Sequence, residues 1–89
     1  MNPSTAMEQS IFADMSNLEK TLSEDTTGDR ARAIVKYFQS VGEATDKMLA
    51  SAKEESQRHL ISRLLRGFQA SERVVRQVWE SIHGVALVF

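Results

Sequence analysis

Within the stretch ATDKMLASAKEESQRHLISRLL, residues 44–65, two apolar helical patterns meet out of phase, which predicts how the helices are connected. The first pattern ends at Ala52 and the second begins at Ile61, nine residues further on. A continuous heptad pattern would repeat after seven residues, or after seven plus an insertion of three or four. The sequence therefore predicts a turn near residues 53–57, with Ser56 as the N-cap of the next helix. One continuous helix is the alternative.

Each arm of this predicted hairpin carries one apolar stripe at alternating steps of three and four residues, as in a coiled-coil seam. The arms are predicted at about residues 28–52 and 57–83, and Thr26 with Asp29 is expected to cap the start of the first arm. The stripes are Ala31, Ile34, Phe38, Val41, Thr45, Met48 and Ala52 in the first arm, and Ile61, Leu64, Phe68, Ser71, Val75, Val78 and Ile82 in the second.

An additional N-terminal helix is predicted at about residues 6–22. Thr5 and Glu8 form a capping-box pattern at its start. Its apolar stripe is Met7, Ile11, Met15, Leu18 and Leu22. The fold class predicted is therefore all-α: an antiparallel helical hairpin preceded by one helix, in a single domain over residues 1–89. Residues 1–5 and 85–89 are expected to be flexible or ordered by a partner.

Composition excludes several classes of protein. The chain has 89 residues, 42% of them hydrophobic, and no cysteine, so a disulfide framework and a thiolate metal site are excluded. The N-terminus lacks the positive charge and apolar run of a signal peptide, and no apolar run approaches the roughly 18 residues that span a bilayer. We therefore predict a cytoplasmic protein without membrane insertion.

Charge is divided unevenly along the chain, although the net charge is only −1. Residues 1–29 hold six acidic residues and one lysine, whereas residues 58–89 hold five arginines and two glutamates. Four arginines of the last helix fall on one face, which suggests the hypothesis of a nucleic-acid-binding surface. No aromatic residue lies among them to stack on a base. Those arginines are Arg58, Arg66, Arg73 and Arg76.

The sequence gives no sign of catalysis, so we predict that the protein is not an enzyme and uses no cofactor or metal. The phosphate-loop, zinc-protease, nucleophile-elbow and EF-hand signatures are all absent. His59 and His83 lie 24 residues apart on one predicted helix, too far apart to share a metal ion. His59 is expected to be solvated, and His83 to interact with the dipole of its helix terminus.

The chain carries more apolar residues than a two-helix seam needs. Either the first helix and the C-terminal tail cover this surplus, or part of it is exposed and binds another protein. Periodicity alone does not distinguish these possibilities. The protein-binding residues predicted are Leu65, Val74, Trp79 and Leu87.

The order and spacing of these segments resemble the YscE/EscE/SsaE family of small type III secretion proteins. The resemblance runs from Leu18 to Val88 and includes Leu18-Glu19-Lys20-Thr21-Leu22 and a helix that begins Ala31-Arg32-Ala33-Ile34-Val35. Its C-terminal part is Ala70, Glu72, Val74-Val75, Val78-Trp79, His83 and Ala86-Leu87-Val88. Members of that family often have a glycine- or proline-containing turn and a tyrosine before the third helix, whereas here the turn is Lys53-Glu54-Glu55-Ser56 and no tyrosine lies near it.

The resemblance implies a cytoplasmic co-chaperone. Such proteins bind a tetratricopeptide-like chaperone, and the two hold the needle subunit of the secretion apparatus as a monomer. The needle subunit would be contacted directly or through that chaperone, and the free co-chaperone could form a homodimer. The alternatives are a needle or inner-rod subunit, which is also a short helical hairpin, and a small nucleic-acid-binding regulator.

Overall fold

The computed structural model describes residues 17–89, and these residues form three helices and no strand. Helix α1 spans Leu18–Glu24, α2 spans Asp29–Ser51 and α3 spans Glu55–His83. The two long helices pack against each other as a hairpin, and α1 packs mainly on α3. The predicted fold class, an all-α hairpin with an additional helix before it, is confirmed.

The turn between α2 and α3 is held by an arginine and not by the predicted serine cap. Ala52 is extended at φ −72°, ψ 130°, which ends α2, and Glu54 is the N-cap of α3. Ser56 therefore lies inside the first turn of α3, so its prediction as N-cap was wrong. The Arg58 guanidinium donates to the carbonyl oxygens of Leu49 and Ala52, both at 3.1 Å. The bond to Ala52 satisfies a carbonyl just past the end of α2, and the bond to Leu49 adds a second donor to a carbonyl that already accepts from the Ala52 N–H at 3.3 Å.

The start of α2 also differs from the predicted Thr26–Asp29 capping pair. Its N-cap is Gly28, in the left-handed region at φ 81°. The Asp25 carboxylate accepts hydrogen bonds from the backbone N–H groups of Arg30, at 3.1 Å, and Ala31, at 2.9 Å. A carboxylate is favoured here because the N-terminus of a helix has free backbone N–H groups and the positive end of the helix dipole.

The predicted N-terminal helix is described only in its last part. α1 begins at Leu18, and Asn17 before it has the non-helical angles φ −122° and ψ 38°. It ends at Glu24, two residues beyond the predicted end. The Thr5–Glu8 capping box and Met7, Ile11 and Met15 lie outside the residues that the structure describes.

The core lies at the end of the hairpin where α1, the α1–α2 turn and the C-terminal tail meet. Its buried apolar residues are Leu22, Ala31, Ile34, Val35, Val75, Trp79 and Leu87. Phe38 and Phe68 extend the contact toward the turn, with ring centroids 6.4 Å apart. Towards the α2–α3 turn, burial decreases, so the hairpin is packed most densely at one end.

The buried face of α3 is rotated from the predicted seam. Leu64 and Ile82, both placed in the seam, are 48% and 39% exposed, whereas Trp79 is buried. Trp79 faces inward because its ring packs against the core and its indole N–H donates to the carbonyl oxygen of Asp25, at 2.7 Å. Val35, fully buried on α2, was missing from the predicted stripe.

Candidate interaction surface

The buried end of the hairpin is assembled around Gly28. A Cβ atom at this glycine would lie 2.8 Å from Cδ1 of Leu87 and 3.2 Å from Cζ2 of Trp79. Both distances are shorter than ordinary van der Waals contact, so a side chain at position 28 would displace Leu87 and crowd Trp79. The tail packs closely over the α1–α2 turn because this position carries only a hydrogen atom.

The C-terminal tail, residues 85–89, is held against the helices by hydrogen bonds as well as by the buried side chain of Leu87. The Leu87 N–H donates to Oε2 of Glu80, at 2.8 Å, and the Arg32 guanidinium donates to the carbonyl oxygen of Val88, at 3.2 Å. The Arg76 guanidinium lies 4.9 Å from the ring centroid of Phe89, a cation–π distance. The last three residues thus contact α2 and α3, although Val88 and Phe89 leave most of their side chains exposed.

His83 links α3 to α1. Its Nε2 atom lies 2.6 Å from the carbonyl oxygen of Leu22, and its ring packs 4.6 Å from that of Trp79. Because a carbonyl only accepts, Nε2 carries the proton in this contact. This role adds to the helix-terminus position predicted for His83 from the sequence.

The four predicted protein-binding residues do not share one surface. Trp79 and Leu87 are 4% and 6% exposed, in the core. Leu65 is half-buried on the side that faces α2, where its Cδ1 lies 3.8 Å from the position of a Cβ at Gly42. Val74 is 49% exposed. Two of the four are thus covered by the chain itself, and their binding to a partner stays a prediction.

An apolar strip, interrupted between Leu64 and Val74, instead follows one flank of α3, beside its buried face. We call it the outer stripe and define it as Leu60, Leu64, Val74, Val78 and Ile82. Gly67 and Ser71 fill the interval between Leu64 and Val74, so the positions recur at steps of three and four and lie on one side of the helix. Its exposed members are Leu60 at 60%, Leu64, Val74 and Ile82.

Helix α1 covers only the C-terminal end of the outer stripe. Leu18 and Val78 are partly buried and pack against the core. Leu18 and Glu19 of α1 line a shallow groove with Val78 and Ile82 of α3. From Val74 back to Leu60, no described residue buries the stripe.

The sequence contained the signal for the outer stripe, but the stripe could not be assigned correctly without knowing which flank faces α2. Three of its members, Leu64, Val78 and Ile82, carried the periodicity that predicted the hairpin seam. Leu60 was not assigned to any surface. Adjacent apolar stripes on one helix give the same period, so periodicity cannot choose between them.

The arginine face is partly engaged within the fold. Arg58 donates hydrogen bonds to the α2–α3 turn and Arg76 lies over Phe89. Two of the four arginines of the predicted nucleic-acid-binding face therefore make intramolecular contacts. Arg66 and Arg73 are exposed.

Neither a metal-binding cluster nor a membrane-spanning helix lies among the residues that the structure describes. No group of three or more histidine, cysteine, aspartate or glutamate side chains could hold a metal ion there. No helix between Leu18 and His83 is long and apolar enough to cross a membrane.

The comparisons with known proteins identify the family of the chain. A family model described as "Type III secretion system regulatory protein HrpD6" matches residues 4–81, which is 78 of the 89 residues. No curated protein and no solved structure matches the chain. The match supports the type III secretion association implied by the sequence resemblance, but it does not support the YscE/EscE/SsaE family in particular. The chain belongs to the HrpD6 family of type III secretion system regulatory proteins.

Proposed function

We propose that this protein is a cytosolic type III secretion co-chaperone that binds a tetratricopeptide-like chaperone through the outer stripe. In this role it helps to keep the needle subunit monomeric, by contact with that subunit or through the larger chaperone. It acts by binding and has no catalytic activity. The observation that carries the proposal is the exposed apolar surface of α3 from Leu60 to Val74.

The physical argument concerns the shape of this surface. From Leu60 to Ile82 the outer stripe runs 22 residues along a helix, or about 33 Å at 1.5 Å per residue. A straight apolar strip of that length suits the flank or groove of another helical protein, where side chains at steps of three and four interdigitate. Tetratricopeptide-like chaperones present such helical surfaces, and a needle subunit has an apolar helical face that must be kept from polymerising.

The outer stripe replaces the surface predicted from sequence, because Trp79 and Leu87 of that surface are buried in the core. Changing Trp79 to alanine would remove a core side chain together with its bond to Asp25. A loss of binding would then report unfolding as much as a lost contact. Leu64 and Val74 are about half exposed, so their truncation should alter stability by less than about 1 kcal/mol each.

The test is co-purification of the Leu64→Ala/Val74→Ala double variant with the tetratricopeptide-like chaperone of the same secretion system. We expect a weakening of about 10- to 100-fold, since each interface anchor contributes about 1 kcal/mol or more. The matched control is Arg66→Ala/Arg73→Ala, two exposed changes on the opposite side of the same helix, which should bind as before. Unchanged binding of the Leu64/Val74 variant, with its helicity intact by circular dichroism, would exclude the outer stripe as the docking surface.

The same proteins separate the two alternatives. A needle or inner-rod subunit would sediment as fibres when pure, whereas a co-chaperone should remain a small discrete species, including a homodimer. A nucleic-acid-binding regulator would show salt-dependent DNA binding that the Arg66/Arg73 variant reduces.

A further inference from the structure

The spacing of the outer stripe is the same in both directions along α3. From Leu60 to Val78, with the two small residues between Leu64 and Val74 included, the steps are four, three, four, three and four residues. When the helix is reversed, Leu60 and Val78 exchange places, and so do Leu64 and Val74. A surface with this property can pair with a second copy of itself across a twofold axis, with the two helices antiparallel.

The middle of the stripe allows two helices to approach closely. A Cβ atom at Gly67 would meet nothing within 4 Å, so the surface there is open. The Ser71 hydroxyl donates to the carbonyl oxygen of Gly67, at 2.9 Å, and therefore presents no unsatisfied donor to an apolar contact. In the antiparallel arrangement each Gly67 faces Ser71 of the second copy, and a residue without a side chain permits close approach of the backbones.

The two ends of the stripe have complementary shapes. Leu60 is 60% exposed at one end. About 27 Å away along α3, a shallow groove is lined by Leu18, Val78 and Ile82. In the antiparallel arrangement Leu60 of each copy enters this groove on the other. A parallel arrangement would instead place Leu60 against Leu60 and leave both grooves unfilled.

The charges beside the stripe are complementary in the same arrangement. Arg63 on α3 and Glu19 on α1 are both exposed. Glu19 lines the groove together with Gln77 of α3. The antiparallel arrangement brings Arg63 of one copy beside Gln77 of the other, and so beside Glu19, at both ends of the pair. Opposite charges at the rim of an apolar contact favour one register over others.

We propose that in the free protein two copies pair through the outer stripe, with their α3 helices antiparallel and the twofold axis midway between Gly67 and Ser71. A contact between two helix faces is a small interface, below about 1,200 Å², so the pair forms and separates reversibly at micromolar protein concentrations. This pairing does not depend on the proposed function. Its consequence, that the larger chaperone must separate the two copies to reach the stripe, rests on that function.

The variant Gly67→Lys tests the contact without disturbing the single chain. Its side chain would extend into open space on one copy, and lysine is favoured over glycine within a helix. In the pair, however, it would place two like charges near the twofold axis. The matched control is Gln69→Lys, which adds the same charge at an exposed position on the opposite side of α3.

Sedimentation equilibrium of the pure full-length protein measures the pairing over a series of concentrations. For the unaltered protein and the Gln69→Lys control, we expect the mass to rise from 10.0 kDa towards twice that value. Gly67→Lys should raise the dissociation constant of the pair at least about 10-fold, because like charges meet in the contact. Circular dichroism should show the same helicity for all three proteins.

Engineered thiols determine the direction of pairing, because the chain has no native cysteine. In the antiparallel arrangement position 64 of one copy lies opposite position 74 of the other, whereas equal positions are about 15 Å apart along the helix axis. A disulfide requires Cα atoms within about 7 Å. Oxidation of an equal mixture of Leu64→Cys and Val74→Cys should therefore join the two variants, and oxidation of either variant alone should not yield a covalent pair.

Several results would overturn the inference. A mass of one chain at every concentration would show that the free protein does not pair, and species larger than two chains would exclude a closed twofold contact. Unchanged pairing of Gly67→Lys would place the contact elsewhere on the molecule. Disulfide formation by a single variant, or none in the mixture, would exclude the antiparallel arrangement. No chaperone is present in these experiments, so failure here is distinct from failure of the co-purification test.

Discussion

The substitution Gly28→Ala tests how the tail, α3 and the α1–α2 turn are joined. Gly28 is buried at φ 81°, where an alanine is disfavoured by about 1–2 kcal/mol. The added methyl carbon would also lie 2.8 Å from Leu87 and 3.2 Å from Trp79, and such overpacking costs about 1–3 kcal/mol. Alanine also restricts the unfolded chain more than glycine does, which offsets about 0.4–1 kcal/mol of this destabilisation. We expect a net loss of about 2–4 kcal/mol.

A loss of that size is readily measured by thermal unfolding followed by far-UV circular dichroism. For a domain of this length each kcal/mol lowers Tm by about 4–8 °C, so Tm should fall by at least about 8 °C. The chain contains one tryptophan, Trp79, so its fluorescence reports on the same site. Its emission in the folded variant should shift to the red as the tail is displaced and water reaches the indole.

The control is Gly84→Ala, which separates the two contributions. Gly84 has nearly the same backbone conformation, φ 70°, but a Cβ there would meet nothing within 4 Å. Only the backbone contribution remains, and we expect a loss of about 1 kcal/mol with no change in tryptophan emission. Equal losses for the two variants would refute the packing argument, because the contacts around Gly28 would then contribute nothing.

Three further predictions concern individual contacts. Trp79→Phe removes the indole donor to the Asp25 carbonyl while keeping an aromatic ring, and should cost about 1–3 kcal/mol in urea unfolding; a smaller loss would mean that the Gly28 N–H, which also donates to that carbonyl at 3.2 Å, is a sufficient partner. Gly42→Ala should raise the free energy of unfolding by up to about 1 kcal/mol, since its Cβ would find ordinary contact at 3.8 Å; destabilisation would indicate a closer approach of α3. The hydrogen bond from Arg32 holds the pKa of Asp29 below its ordinary value. The ionised Asp29 therefore stabilises the fold at pH values above the pKa of the unfolded chain, and this stabilisation is lost as pH falls through the lower pKa of the folded state. Carboxyl NMR titration should show that depressed pKa and its return in Arg32→Ala; an identical pKa in both proteins would contradict it.

The positions of the helices could be predicted from sequence because they follow from local spacing. The phase change between Ala52 and Ile61 predicted the hairpin, and the structure ends α2 at Ser51 and begins α3 at Glu55. The cap residues were predicted less well. Ser56 and Thr26 had the right chemistry for capping. Arg58 instead reaches back to carbonyls nine and six residues earlier, and Asp25 reaches forward to N–H groups five and six residues later, which are not the spacings of a capping box.

Local spacing predicts that this chain is helical, favours a hairpin over one continuous helix, and shows more apolar residues than one seam can bury. Which of these residues are covered depends on contacts between elements that are distant in the chain. Trp79 and Leu87 are buried because a bare glycine backbone at Gly28 admits them and Asp25 accepts the indole proton, whereas Leu64, equally apolar, is left outside. A helix has the same period on every flank, so the buried side is set by neighbouring elements distant in the chain.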